Sequence, residues 1–284
     1  MKTIYYYFIF YIFILFGCAH HNTQKAISKK SIEIDPKLIS QKILTANFPD
    51  RSISAILSHL VEHKPFERII YLFVGNPGTI KIKSIEDYGM KGNFLMRTIP
   101  LWLDSKTVVI SVDAPTDQWD DFKCSFRQSK RYAEDLLALS QKIKKLIGDL
   151  PQSIIGTSEG TLSAYYATLA LQDTKTKVVM TASLFKSNAH CEGLEKKDLT
   201  LIKSPLLWVH HYSDPCKKTP YSLAKYFSES TKSPLITIKS DEAGSGEACH
   251  AFTRHGFIEV EDETVHAIKN WIESNEVKDV SISN

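Results

Sequence analysis

The chain has 284 residues, of which 43% are hydrophobic and 24% are charged, and its formal net charge is +3. This length suits one large α/β domain and is short for two, and the composition is ordinary for a globular protein. Basic and acidic residues are interspersed along the chain and form no basic stripe, which argues against a nucleic-acid-binding protein. We therefore expect one folded domain and no nucleic-acid partner.

A hydrophobic segment begins the chain. After Met1 and Lys2, every residue from 4 to 16 is apolar or aromatic. Such a run is too short to span a bilayer, which takes about 20 residues, but it suits the apolar region of an export signal. Residues 1–17 are accordingly predicted to be a signal peptide.

The residues that follow this segment resemble a bacterial lipobox, with the sequence LFGC at positions 15–18. The resemblance implies cleavage before Cys18 and lipid on its sulfur and amino group. Residues 18–45 are polar and basic and are predicted to form a flexible tether, and residues 46–284 the folded domain. We expect a membrane-anchored lipoprotein that faces the periplasm or the cell surface. The alternatives are an ordinary signal peptide and an uncleaved anchor.

Beyond the tether, the sequence pattern alternates between strands and helices. Strands are predicted at residues 68–74, 107–112, 153–155, 177–184, 206–211 and 235–238, and helices at 129–147, 161–171 and 262–272. The alternation of strands and helices predicts an α/β fold with a mainly parallel central sheet and helices on both faces. In such sheets the functional site lies at the carboxyl ends of the strands.

Ser158 lies in the sequence GTSEG at residues 156–160, between a predicted strand and a predicted helix. In that context the Gly-x-Ser-x-Gly pattern indicates a nucleophile elbow. A serine on so tight a turn needs small neighbours, and Gly156 and Gly160 provide them. The helix that follows directs its positive N-terminal end at the oxygen that becomes negative during acyl transfer. The alternative interpretation is a plain strand-to-helix turn.

A serine hydroxyl is a weak nucleophile and needs a general base, which a third group orients. Asp214 directly follows the predicted strand 206–211 and is the candidate orienting acid, although an Asp before Pro is also a common turn former. Three histidines come later in the chain. We favour His255, which precedes the last predicted helix. His250 remains an alternative, and His266 lies inside that helix.

Acyl transfer also requires two backbone N–H donors for the oxyanion. Glu159 follows the nucleophile and is the first candidate. The second is expected in the loop 75–78, which follows the first central strand. Asn76 is the candidate there, because Pro77 has no N–H.

Taken in order, these motifs resemble those of the α/β-hydrolase superfamily. The matching sequences are GNPG at 75–78, DAP at 113–115, GTSEGT at 156–161, Asp214, and HGF at 255–257. The resemblance covers about residues 65–275 and looks nearest to small bacterial serine hydrolases of unassigned substrate. It implies the α/β-hydrolase fold, with Ser158 as nucleophile, His255 as general base and then acid, and Asp214 orienting His255. The loop 75–78 lacks the His-Gly-Gly-Gly run of lipases, which argues mildly against large-substrate esterases.

Four cysteines remain besides Cys18, and an even number suits disulfides in an exported chain. Sequence alone does not choose among the three possible pairings. We favour a bond between Cys216 and Cys249, since it would clip the loop of the candidate acid to the loop of the candidate base. Cys124 and Cys191 would then form the second pair. The alternative is four free, buried thiols.

These features predict a serine hydrolase that cleaves carboxylic esters without a metal or an organic cofactor. Only a small lid, or none, is expected, because the segment between residues 185 and 205 is short. Trp102, Trp119 and Phe126 are candidates to line the pocket or, equally, to pack in the core. A serine peptidase or amidase and a non-catalytic lipid-anchored binding protein remain alternatives. The expected partners are a small-molecule or acyl substrate and, through the N-terminal lipid, the membrane.

Overall fold

The computed structural model describes residues 35–172, 175–188 and 191–282. The predicted signal peptide, the predicted lipidation site Cys18 and most of the predicted tether lie outside these described residues. Within them, no helix combines the length and the apolar character that crossing a bilayer requires.

The described strands form a single nine-stranded sheet. In chain order they are β1 (Ile39–Asn47), β2 (Ser52–Leu60), β3 (Arg68–Phe73), β4 (Thr107–Val112), β5 (Gln152–Thr157), β6 (Lys177–Thr181), β7 (Leu206–His211), β8 (Leu235–Ser240) and β9 (Val280–Ile282). Their order in space is β1-β2-β4-β3-β5-β6-β7-β8-β9. The β1–β2 and β2–β4 pairs are antiparallel, and all other pairs are parallel. The predicted mainly parallel sheet is confirmed.

Helices cover both faces of this sheet, as predicted. They are α1 (Phe94–Arg97), α2 (Ile99–Trp102), α3 (Cys124–Arg127), α4 (Lys130–Ile147), α5 (Gly160–Leu171), α6 (Tyr221–Thr231) and α7 (Glu261–Ser274). Buried side chains of α4, α5 and α6 contribute to one apolar cluster. Those of α1, α2 and α7 contribute to a second cluster on the other face. The sheet is therefore apolar on both sides, which explains the continuous apolar runs of its central strands.

The sheet begins inside the segment predicted as tether. The tether was expected to extend to residue 45, but β1 covers Ile39–Asn47 and pairs with β2 along its whole length. Ile39 and Ile43 pack against the core, while polar residues lie between them. Leu44 and Ala46, on the opposite face, pack against the other apolar cluster, but most side chains of this edge strand are only partly buried. Its apolar residues are therefore mixed with polar ones, and its composition is like that of a linker.

The parallel strands bring the candidate residues to one edge of the sheet. Ser158 follows β5 and Asp214 follows β7, so both lie at carboxyl ends of strands. Between β6 and β7, the described residues form only two short 3-10 turns, Leu194–Lys196 and Leu199–Leu201. This short connection fits the small or absent lid that the sequence predicts.

Candidate active site

Ser158 lies in the sharp turn between β5 and α5. Its φ of 53° is in the left-handed region, where a residue with a Cβ stores strain of about 1–3 kcal/mol. A Cβ on Gly156 would lie 2.5 Å from the carbonyl oxygen of Gly160, and a Cβ on Gly160 would overlap the carbonyl oxygen of Phe73. Both positions therefore need glycine for close backbone approach, as the Gly-x-Ser-x-Gly pattern suggests.

His255 and Asp214 are hydrogen-bond partners. The Nδ1 of His255 lies 3.0 Å from the Oδ2 of Asp214, and their side chains are 5% and 0% exposed. With the proton on Nδ1, the ring donates to the carboxylate and keeps Nε2 free to accept a proton. A general base that is oriented by an acid needs this arrangement.

The carboxylate of Asp214 is held by its own loop. The N–H of Cys216 donates to Oδ1 at 2.8 Å, and the hydroxyl of Thr219 donates to Oδ2 at 2.7 Å. The same hydroxyl lies 3.2 Å from the Nδ1 of His255. These bonds hold the carboxylate in the orientation in which its Oδ2 faces the imidazole. Thr219 was not among the residues predicted from the sequence, since a threonine five residues after the acid belongs to no motif.

Ser158 and His255 line one cavity of about 800 Å³. Asn76 and Glu159, the two residues predicted to supply oxyanion donors, line the same cavity. Asp214 is not among the lining residues but binds His255, so the imidazole separates the carboxylate from the cavity. The structure thus brings together all five predicted residues of the catalytic site.

The backbone N–H groups of Asn76 and Glu159 have no hydrogen-bond acceptor within the part of the chain that the structure describes. The neighbouring N–H of Ser158, by contrast, donates to the carbonyl oxygen of Thr181 at 3.0 Å. Two N–H groups without a protein acceptor beside a serine are what an oxyanion hole requires. The first turn of α5 adds the positive end of its dipole at the same place.

The alternative histidines are placed differently. His250 lines the cavity, but its side chain is 58% exposed and pairs with Glu247 of its own loop at 3.5 Å. His266 is exposed on α7. Of the three candidates, His255 is the one that binds Asp214.

Two disulfides join the cysteines in the pairing that the sequence analysis favoured. Cys216 is bonded to Cys249, with their Cα atoms 4.6 Å apart, and Cys124 is bonded to Cys191, with their Cα atoms 5.2 Å apart. The first bond connects the loop after β7, which carries Asp214, to the segment that precedes His255. The segments that carry the candidate acid and base are therefore joined by a disulfide as well as by the hydrogen bond between His255 and Asp214.

The three aromatic residues considered as pocket lining belong to the core instead. Trp102 is fully buried in one apolar cluster, and Trp119 and Phe126 pack against the other. The aromatic side chains that line the cavity are Phe94 and Phe252. Both side chains reach the cavity because α1 and the segment before His255 form two of its walls. The spacing of these residues in the sequence does not reveal that the two segments lie side by side.

Two further histidines, at the end of β7, are held neutral. Burial lowers the pKa of His210 to about 3, with the nearby Asp214 opposing this shift and His255 adding to it. Burial and Arg254 lower the pKa of His211 to about 4, while Asp214 raises it. The Nε2 of His210 accepts a hydrogen bond from the N–H of Ser183 at 3.0 Å, which requires the uncharged ring.

Solved structures share this architecture, although no family model and no curated protein matches the chain. A cold-adapted esterase from an Arctic intertidal metagenomic library is similar over 84% of this chain and 96% of its own, with a TM-score of 0.58 and 10% identity. An α/β serine hydrolase without lid from Xanthomonas campestris is similar over 82% and 95%, with a TM-score of 0.56 and 13% identity. A dienelactone hydrolase from Anabaena variabilis is similar over 85% and 100%, with a TM-score of 0.57 and 10% identity. The chain therefore has the α/β-hydrolase fold.

Proposed function

We propose that this protein is a serine hydrolase that cleaves carboxylic esters with the triad Ser158, His255 and Asp214. The main support is the arrangement of these three side chains. A serine on a turn with positive φ shares a cavity with a histidine whose Nδ1 lies 3.0 Å from a buried carboxylate. Nucleophile, orienting acid and base follow each other in the chain in the order that α/β-hydrolases use.

The reaction is acyl transfer to water in two steps. The Oγ of Ser158 attacks the ester carbonyl carbon while the Nε2 of His255 takes its proton, and the N–H groups of Asn76 and Glu159 hold the oxyanion. The imidazolium then protonates the departing alcohol, which leaves an acyl-serine. Water, deprotonated by His255, attacks this ester, and the imidazolium returns the proton to the Oγ of Ser158 as the acid departs. Asp214 stabilises the imidazolium and does not itself take the proton.

Esters are favoured as substrates by the cavity and by the similar structures. Apolar side chains of Met90, Phe94, Leu184 and Phe252 contribute to its walls. The connection between β6 and β7 holds only short turns in its described residues, which fits a small lid or none. The solved structures that share this fold include an esterase and a dienelactone hydrolase. We therefore propose that the substrates are esters of short-chain acids, whose acyl group binds in this accessible apolar cavity.

A substrate panel tests this proposal. The purified, oxidised protein is assayed with p-nitrophenyl esters of increasing acyl length and with peptide p-nitroanilides, and Ser158→Ala serves as the matched control. We expect the shortest esters to be hydrolysed fastest and the variant to be inactive. Faster cleavage of the anilides would identify a peptidase or amidase. Turnover of neither class by folded protein would refute hydrolysis and favour a non-catalytic binding protein.

We also propose that the chain is exported and lipidated at Cys18. Support comes from the apolar run at residues 4–16, the lipobox-like sequence before Cys18, and two disulfides, which persist in oxidising compartments. Metabolic labelling with a palmitate analogue tests this proposal. The wild type should incorporate the lipid and Cys18→Ala should not. Equal labelling of the two proteins, or none of either, would contradict lipidation at Cys18.

A further inference from the structure

Arg127, at the end of the short helix α3, is a buried cation to which neither the sequence motifs nor the proposed mechanism assigns a role. Its side chain is 0% exposed and its guanidinium lies 4.2 Å from the ring centroid of Phe122. A fully buried arginine is costly unless its charge and its donors are satisfied. The identity of its partners therefore indicates what the residue does.

Besides the sulfur atoms of the adjacent disulfide, the partners of Arg127 lie on both sides of the candidate oxyanion hole. Its Nη1 lies 2.8 Å from the carboxylate of Glu159, and its Nη2 donates to the carbonyl oxygen of Pro77 at 3.3 Å. Its Nε donates to the hydroxyl of Ser163 on α5 at 2.9 Å. Glu159 carries one candidate oxyanion donor, and Pro77 directly follows Asn76, which carries the other.

We infer that Arg127 is a positioning residue that sets the distance between the two oxyanion N–H donors, a role that rests on the hydrolase function proposed above. The loop 75–78 is a tight turn, closed by a bond of 2.7 Å from the N–H of Gly78 to the carbonyl oxygen of Gly75. Arg127 binds the carbonyl in the middle of that turn. Because the guanidinium is a rigid planar fork, it fixes this turn relative to the start of α5.

The positive charge of Arg127 also stabilises the oxyanion, in addition to fixing the positions of the two donors. The carboxylate of Glu159 belongs to the residue that donates to the oxyanion, and its side chain is only 9% exposed. A negative charge in so buried a place would oppose the negative charge that develops on the substrate oxygen. The ion pair with Arg127 offsets it. Arg127 thereby acts on the transition state through Glu159 and Asn76 without touching the substrate.

The experiment compares Arg127→Met and Arg127→Lys in the full oxidised chain, with active sites counted by titration. We expect kcat to fall about 10-fold to 100-fold in Arg127→Met and less in Arg127→Lys, with KM within about threefold of wild type. A short alkyl trifluoromethyl ketone, whose adduct with Ser158 carries an oxyanion, should lose affinity in proportion to kcat/KM. A merely structural role would reduce the number of titrated sites but leave both constants per site unchanged.

Two variants complete the design. Arg51→Met is the matched control, because Arg51 also pairs with a buried carboxylate, that of Asp135 at 2.7 Å, but lies outside the cavity lining. It should lower stability and leave kcat per site unchanged. Among the contacts of Arg127, Ser163→Ala removes that of Nε, and it also removes the hydrogen bond between Ser163 and Tyr132. It tests the inference if both Arg127 variants misfold, since it should lower kcat and ketone affinity together.

The inference is overturned if every folded variant of Arg127 and Ser163 keeps the wild-type kcat and ketone affinity per site. It is also overturned if Arg51→Met reduces kcat per site as much as Arg127→Met does. A wild type that neither hydrolyses esters nor binds the ketone would instead refute the proposed function. The two failures are therefore distinguishable.

Discussion

The Nδ1 of His255 lies 3.0 Å from the Oδ2 of Asp214, although 41 positions separate the two residues in the chain. Asp214→Asn removes the negative charge that stabilises the imidazolium and favours the wrong imidazole tautomer. We expect kcat to fall by about 10³-fold to 10⁴-fold with KM little changed, as for the same substitution in other Ser-His-Asp triads. Asp198→Asn, which alters an Asp that caps a surface turn, is the control. Steady-state kinetics showing less than a tenfold loss in Asp214→Asn would argue against the assigned acid.

His250 and His255 line the same cavity, and only the latter binds the candidate acid. His250→Ala should keep kcat within about threefold of wild type, because the exposed ring pairs with Glu247 rather than with a catalytic group. His255→Ala should lose activity by several orders of magnitude. Ester hydrolysis rates of the two variants decide between the histidines. Inactivity of His250→Ala alone would reverse the assignment.

The bond between Cys216 and Cys249 closes a loop across a sequence separation of 33 residues. Its removal in Cys216→Ser/Cys249→Ser should lower the free energy of unfolding by roughly 3–4 kcal/mol, on the loop-entropy model. Residues 241–250 are exposed and should be cut faster by protease once the bond is gone. Urea unfolding and limited proteolysis measure these two effects. The same measurements on chemically reduced wild type provide a second comparison. Unchanged unfolding and unchanged cleavage would show that the bond constrains neither loop.

Burial of the neutral His210 makes stability depend on pH. The folded-state pKa is about 3, whereas an unfolded histidine has a pKa of about 6.5. The unfolded chain therefore binds a proton below pH 6.5 that the folded chain refuses until about pH 3, so stability falls as pH drops through this window. His210 alone should lower the free energy of unfolding by about 2 kcal/mol between pH 7 and pH 5.

The variant His210→Gln tests this dependence. It removes the titrating ring and keeps a polar group beside Ser183. Its free energy of unfolding should vary less between pH 7 and pH 5 than that of wild type, by about the same 2 kcal/mol, whatever its overall stability. Urea titrations at both values measure the difference. An equal pH dependence in the two proteins would mean that His210 does not titrate as its burial indicates.

Continuous apolar runs make the central strands predictable. β4 and β7 cover Thr107–Val112 and Leu206–His211, the ranges predicted from sequence, because every residue in them is buried and turns flank them. The antiparallel strands β1 and β2 were not predicted, and β6 ends at Thr181 rather than at residue 184. Where apolar residues continue past the last hydrogen-bonded pair, composition alone does not mark the end of a strand.

Some residues of the candidate site are likewise predictable from the sequence, and others are not. The position of Ser158 follows from a local motif, and the choice of Asp214 and His255 follows from chain order. The cluster around Arg127 has no local signature, since its partners Pro77 and Ser163 lie 50 and 36 positions away. Contacts of this kind arise only when the sheet brings distant loops together, so they require the three-dimensional structure.

Labelling with a fluorophosphonate probe shows whether Ser158 is a nucleophile that His255 activates. Such probes react covalently with an activated serine, and mass spectrometry of the labelled peptide identifies the residue. We expect wild type to be labelled at Ser158, and Ser158→Ala and His255→Ala to lose the labelling. An unlabelled wild type that is folded and oxidised, or undiminished labelling of Ser158→Ala, would contradict this assignment.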